Sequence, residues 1–186
     1  MIKYLIVHHT GGTDSNPLAD TSHHTFEIVN TAHKNNPRIN LGHPSTLGYY
    51  IGYQYFISKA GIVTQGRADT EEGAHAVGYN SNSVGICLAG NFDLTLPTEA
   101  QKEALKSLLR RLIALYSVDI VNVVPHRRLI NTINPKSCYG AKLSDSWARD
   151  LLQEDAKITL MKQIIEAASK AVALLKRLLQ TKTRIA

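Results

Sequence analysis

The sequence predicts an α/β fold: a mixed central β-sheet flanked by helices, with an extra amphipathic helix at the C-terminus. Three observations point there. Short β-prone runs alternate with helical patterns along most of the chain. Residues 52–58 and 62–65 bracket the tight turn Lys59-Ala60-Gly61 and read as an antiparallel hairpin. Residues 156–180 repeat apolar side chains at helical spacing, with lysines and an arginine on the opposite side and flanks.

In chain order, residues 4–8 form a continuous β-prone run that ends in the turn Thr10-Gly11-Gly12, a short buried strand. A helix is expected over 22–34. Residues 35–50, rich in Pro, Gly and Asn, read as a long loop. Residues 83–89 are an apolar strand in which Cys87 reads as a buried structural thiol. Thr98 is an N-cap and Gln101 completes its capping box. Leu105, Leu108, Leu109, Leu112 and Ile113 then share one face. A strand is expected over 120–124, closed by Pro125-His126. A last domain helix begins near Ser146 and includes Trp147, Leu151 and Leu152. The expected organisation is one domain over 1–153 and a basic helical extension over 154–186.

The chain has 186 residues and a net charge of +6, enough length for one domain with a real core. Residues 1–150 carry 14 Lys/Arg against 12 Asp/Glu, whereas 151–186 carry 7 against 3. The excess positive charge is therefore concentrated in the tail. Aromatic residues are not interleaved with it, so no nucleic-acid partner is expected. Cys87 and Cys138 suggest no disulfide framework. The apolar run at the N-terminus is too short for a signal peptide, and synthesis in the cytoplasm is expected. No stretch is long enough to span a membrane.

His8 and His126 each follow an expected strand. Ligand sites in α/β sheets gather at the carboxyl ends of strands, which puts these two histidines at one sheet edge. A catalytic zinc site needs three protein donors and an open position, and His8, His126 and Cys138 could supply them. With eight histidines in the chain, spacing alone leaves a structural role for each of them open.

Five segments occur in order: Ile6-Val7-His8-His9-Thr10, Gly52-Tyr53-Gln54-Tyr55-Phe56-Ile57, Gly73-Ala74-His75-Ala76-Val77-Gly78-Tyr79-Asn80, Ser83-Val84-Gly85-Ile86-Cys87-Leu88 and Pro135-Lys136-Ser137-Cys138. Together they resemble the type 2 N-acetylmuramoyl-L-alanine amidases, the superfamily that includes the peptidoglycan recognition proteins. The pattern is most similar to the phage lysozyme-type amidases and runs from about residue 1 to 153. The resemblance implies that fold, a Zn2+ cofactor and hydrolysis of the amide between N-acetylmuramic acid and L-alanine of peptidoglycan. It further implies a phage or prophage endolysin that acts on the cell wall after release.

Carried over residue by residue, the resemblance makes His8, His126 and Cys138 the zinc ligands, with His9 at a variable position. It makes Tyr53 and Lys136 catalytic, and His75 a cleft histidine near the substrate. A non-catalytic peptidoglycan-binding recognition module is the alternative. Such members of the superfamily generally lose the cysteine ligand, so Cys138 favours the enzyme. Three departures bear on cleft shape. Eleven residues, 127–137, separate His126 from Cys138, where a shorter loop is usual. Tyr139-Gly140 follows the cysteine where Pro is common. Gln54 stands where His or a similar residue often follows the tyrosine. The C-terminal helix lies beyond the resemblance. Its readings are packing on the domain or a second copy, contact with an anionic membrane, and contact with envelope anions.

Overall fold

The computed structural model describes residues 1–13, 15–39, 41–129 and 137–183, with 154–160 and 174–183 described by backbone alone. It forms two compact units, Met1–Leu152 and Gln153–Ala186.

The first unit is built on a five-stranded sheet. Its strands are β1 (Tyr4–His9), β2 (Tyr55–Ile57), β3 (Val63–Gln65), β4 (Ser83–Leu88) and β5 (Val123–Pro125), in the spatial order β3-β2-β4-β1-β5. β2, β4, β1 and β5 pair in parallel, while β3 joins as an antiparallel edge. The sheet is therefore mixed, as the hairpin and the alternation predict. β1 and β4 are buried along almost their whole length, as expected for parallel strands covered on both faces.

Side-chain alternation divides the core. Leu5, Val7, Tyr55, Ile57, Ile86 and Leu88 pack with Leu105, Leu108, Leu109 and Leu112 of α2 (Glu99–Tyr116) and with Ala148 and Leu151 of α3 (Trp147–Thr183). Phe56 and Cys87 face the other way, toward Phe26 and Val29 of α1 (Phe26–Asn35). Phe26, Val29 and His33 recur at helical spacing and are the buried residues of α1. Thr25 caps α1 and Thr98 caps α2, the latter with a complete capping box. Each cap satisfies amide groups that the first turn leaves without an intrahelical partner.

Four elements differ from the sequence reading by more than one residue. α1 begins at Phe26, after the Thr25 cap, rather than at residue 22. β2 begins at Tyr55 rather than at residue 52. Just before it, the fully buried Gln54 side chain replaces ladder bonds: its Oε1 accepts from the Gly85 amide at 2.7 Å and its Nε2 donates to the Glu71 carbonyl at 2.8 Å. Residues 120–122 form a 3-10 turn, and only Val123–Pro125 is strand. Asp119 causes this, because its Oδ1 accepts from the Val121 amide at 3.0 Å and draws that donor into a turn. The helix that begins at Trp147 continues to Thr183; no Gly or Pro interrupts that span. In the second unit, Met161, Ile164, Ile165 and Val172 are exposed. Among the described residues no helix is long and apolar enough to cross a membrane.

Candidate metal centre and cleft

His8 lies one residue before the end of β1, and His126 directly follows β5, the parallel neighbour of β1. Topology thus delivers both histidines to one carboxyl edge of the sheet. Cys138 joins them there. The candidate donor atoms of His8, His126 and Cys138 all lie within 4.8 Å of one another. The Cys138 Sγ is 3.7 Å from His8 Nδ1, and the His8 and His126 ring centroids are 4.4 Å apart.

His8 and His9 are separated by strand alternation. His8 is on the α1 side, in register with Cys87 across β1 and β4. The His9 ring accepts the Phe92 amide through Nδ1 at 3.0 Å and packs 5.7 Å from the Phe92 ring. It is turned away from Cys138 and His126 and is already bonded. Burial pushes its pKa down to about 4.

The hydrogen bonds around His8 fix its tautomer. Ser83 Oγ donates to the Tyr79 carbonyl at 2.7 Å, which commits its only proton. His75 Nε2 must then donate to Ser83 Oγ, a longer contact of 3.4 Å. A neutral His75 is left with Nδ1 as an acceptor, and His8 Nε2 donates to it at 3.1 Å. The Nδ1 lone pair of His8 consequently points toward Cys138. Neutrality follows from burial, which lowers the His75 pKa to about 3 and holds that of His8 well below the ordinary histidine value. The His126 charge adds to both shifts.

Gly73 and Gly85 make room for this chain. A Cβ on either would come within 2.5 Å and 2.6 Å, respectively, of the His75 Cδ2. The Asn80 Oδ1 accepts the His75 and Ala76 amides at 3.0 and 2.8 Å and holds the loop. His75 is therefore engaged directly with His8.

Tyr53 sits with its ring centroid 4.9 Å from that of His8 and 6.1 Å from that of His75. Burial raises its hydroxyl pKa well above the usual tyrosine value, and the Cys87 and Cys138 sulfurs add to the effect. The phenol keeps its proton at neutral pH, so it acts as a donor rather than a ready-made base. Lys136 lies outside the described residues.

Several contributors were not legible as site residues. His33 accepts the Gly52 amide through Nδ1 at 2.9 Å and lies 5.3 Å from the Tyr53 ring, supporting the turn that carries Tyr53. Its spacing with Phe26 and Val29 was the available signal. Cys87 is buried as expected, but strand register places it beside Tyr53 and the candidate donors. Burial raises its thiol pKa well above the usual cysteine value.

Residues 1–141 match the family model described as N-acetylmuramoyl-L-alanine amidase. The endolysin of Enterobacteria phage T3 is 35% identical over 108 residues, which span 55% of this chain and 67% of the relative. A peptidoglycan recognition protein of Bombyx mori is 32% identical over 136 residues, 72% of this chain and 64% of the relative. Among solved structures, the amidase LysC from Clostridium intestinale superposes with a TM-score of 0.61 at 24% identity, covering 82% of this chain and 85% of that one. Drosophila PGRP-LB gives 0.56 at 26% identity, covering 76% of each. With the family model matching well over half of its length, this chain belongs to the N-acetylmuramoyl-L-alanine amidase family.

Proposed function

We propose that this protein hydrolyses the amide between N-acetylmuramic acid and L-alanine in peptidoglycan, with zinc held by His8, His126 and Cys138, and that it serves as an endolysin. The observation that carries the reading is the convergence of two imidazoles and a thiol within 4.8 Å at the carboxyl ends of two adjacent strands. Two nitrogens and one sulfur suit zinc, and three protein donors leave a position for water or substrate. The residues fit in a second respect. His8 is neutral, aims a lone pair at the cluster and gives its other N–H to His75, the arrangement that orients metal-binding imidazoles. Bound zinc would supply a Lewis acid and lower the pKa of water.

The remaining steps belong to the chain. Tyr53, protonated and packed against His8, orients the attacking water and carries a proton through its hydroxyl. Lys136, two positions before Cys138, offers a cation to the oxyanion that develops at the scissile carbonyl. His75 holds His8 and borders the substrate. The recognition-module alternative predicts binding without cleavage, and retention of Cys138 argues against it.

The test is digestion of purified peptidoglycan, read by mass spectrometry, with metal analysis on the same sample. Free stem peptides beginning with L-alanine should accumulate. Chelation should stop their release and zinc should restore it. Cleavage that survives complete metal removal would sink the mechanism, and binding without any cleavage would favour the recognition module.

A further inference from the structure

Cys138 lies on no strand or helix, so its placement needs another cause. It comes from the residue next to the opposite donor. Arg127 follows His126, and its amide donates to the Cys138 carbonyl at 2.7 Å. Its guanidinium then gathers the chain on both sides of the cysteine. Nη1 donates to the Ser137 carbonyl at 3.1 Å and the Gly140 carbonyl at 2.8 Å, and Nη2 to the Leu143 carbonyl at 2.7 Å. Nε donates to Asp145 Oδ1 at 2.6 Å, and the guanidinium lies 5.4 Å over the Tyr139 ring.

A second set of bonds comes from the loop after β4. Ser137 Oγ donates to Asp93 Oδ2 at 2.7 Å, and the Ala141 amide donates to Asp93 Oδ1 at 2.6 Å. The Lys142 amide donates to the Phe92 carbonyl at 3.1 Å.

We propose that Arg127, assisted by Asp93, is a positioning residue that sets the thiol of Cys138 against His8 and His126. The inference rests on reading Cys138 as the metal thiolate. An irregular segment lacks ladder partners for its carbonyls. A planar guanidinium supplies several donors in one rigid fork, which a lysine cannot reproduce. The bond from Arg127 N–H to the Cys138 carbonyl also closes the base of the eleven-residue stretch 127–137. The extra length of that stretch therefore need not displace the cysteine.

The experiment uses the full chain, with Zn2+ affinity measured by chelator competition and the thiolate-to-metal charge-transfer band recorded with Co2+. Arg127→Ala should weaken affinity about 10- to 100-fold, the range for residues that orient metal ligands, and diminish the band. Arg127→Lys should restore neither. Ser137→Ala should shift both in the same direction by less. Arg149→Ala is the control, because Arg149 Nη1 also holds a backbone carbonyl, that of Val123 at 3.1 Å, rather than one of the carbonyls flanking the cysteine that Arg127 holds. It should leave affinity unchanged.

Wild-type affinity and an unchanged band in Arg127→Ala overturn the proposal. So does an equal loss in Arg149→Ala, which would mark general destabilisation. If Arg127→Ala does not fold, Ser137→Ala and Asp93→Asn decide, and unchanged affinity in both overturns it. Cys138→Ala separates the two levels. Wild-type affinity there defeats the parent reading, whereas its loss beside an unaffected Arg127→Ala defeats the positioning role alone.

Discussion

His8 and Cys138 reach the same cluster by opposite means. His8 sits in β1, a central strand flanked by β4 on one side and β5 on the other, and is itself in register with Cys87 of β4. Register fixes its place, and the relay through His75 to Ser83 fixes its ring. Cys138 has no ladder, and its flanking carbonyls are held by side chains, chiefly that of Arg127. A donor on a sheet inherits its position from the fold, whereas a donor on an irregular segment depends on a few named contacts. The two should therefore fail differently when perturbed.

The largest effects come from the donors themselves. Cys138→Ala and His8→Ala should each reduce stem-peptide release to background and abolish stoichiometric zinc, measured on one preparation. Their stabilities should diverge. His8 is 1% exposed in the sheet, so truncation leaves a cavity and an unpaired His75 Nδ1. About 1–3 kcal/mol should be lost from that acceptor alone. Cys138→Ala in the metal-free protein should shift the urea midpoint much less. Equal losses would erase the distinction between the two sides.

Next is His75→Ala. It removes the acceptor of His8 Nε2 and frees the imidazole to change tautomer. Zinc affinity should fall about 10- to 100-fold, with a smaller change in affinity for muropeptide. If muropeptide binding falls while zinc affinity stays at the wild-type value, His75 serves the substrate and not His8.

Gly85→Ala probes the same side through space. The added Cβ would lie 2.6 Å from His75 Cδ2 and 2.7 Å from His75 Cγ. The obstacle is a ring bonded at both nitrogens rather than the end of a flexible chain, so it yields poorly. A loss of about 1–3 kcal/mol is expected for such overpacking, read from the denaturant midpoint, together with weakened zinc binding. A neutral outcome would show that the relay around His75 has slack.

What was legible in the sequence follows the same division. The run Tyr4–His9, the capped helix after Thr98 and the hairpin around Lys59-Ala60-Gly61 are local signals, and each element formed. Strand ends predicted that His8 and His126 would meet, because a parallel sheet makes that placement a matter of topology. Cys138 was found by its motif alone, since the bonds that hold it join residues 93, 127 and 137–145, and no local pattern encodes them. The short 3-10 turn at 120–122 escaped because the apolar pattern there suits a strand, and a single Asp119 contact overrides it. Lys136 was read from the same motif as Cys138 and lies outside the described residues.

The last prediction is a pH dependence on the His8 side. His33 is buried, and desolvation, aided by the Arg67 charge, lowers its pKa from 6.5 to about 4. Its Nδ1 accepts the Gly52 amide, a bond that protonation at that nitrogen would destroy. The unfolded chain therefore binds the proton more readily than the folded one. The stability tied to neutral His33 is complete above pH 6.5 and is lost as pH falls toward 4, below which the loss levels off. Within that window the share of one such group is about 1.4 kcal/mol per pH unit. Urea midpoints of the metal-free protein between pH 7 and 4 measure the slope, and His33→Gln should flatten it by about one proton. The glutamine oxygen can still accept from Gly52, so the stability of this variant at pH 7 should fall only modestly. A slope that does not change in His33→Gln would mean that acid acts elsewhere in the fold. The turn bearing Tyr53 would then be no more sensitive to acid than the segment bearing Cys138.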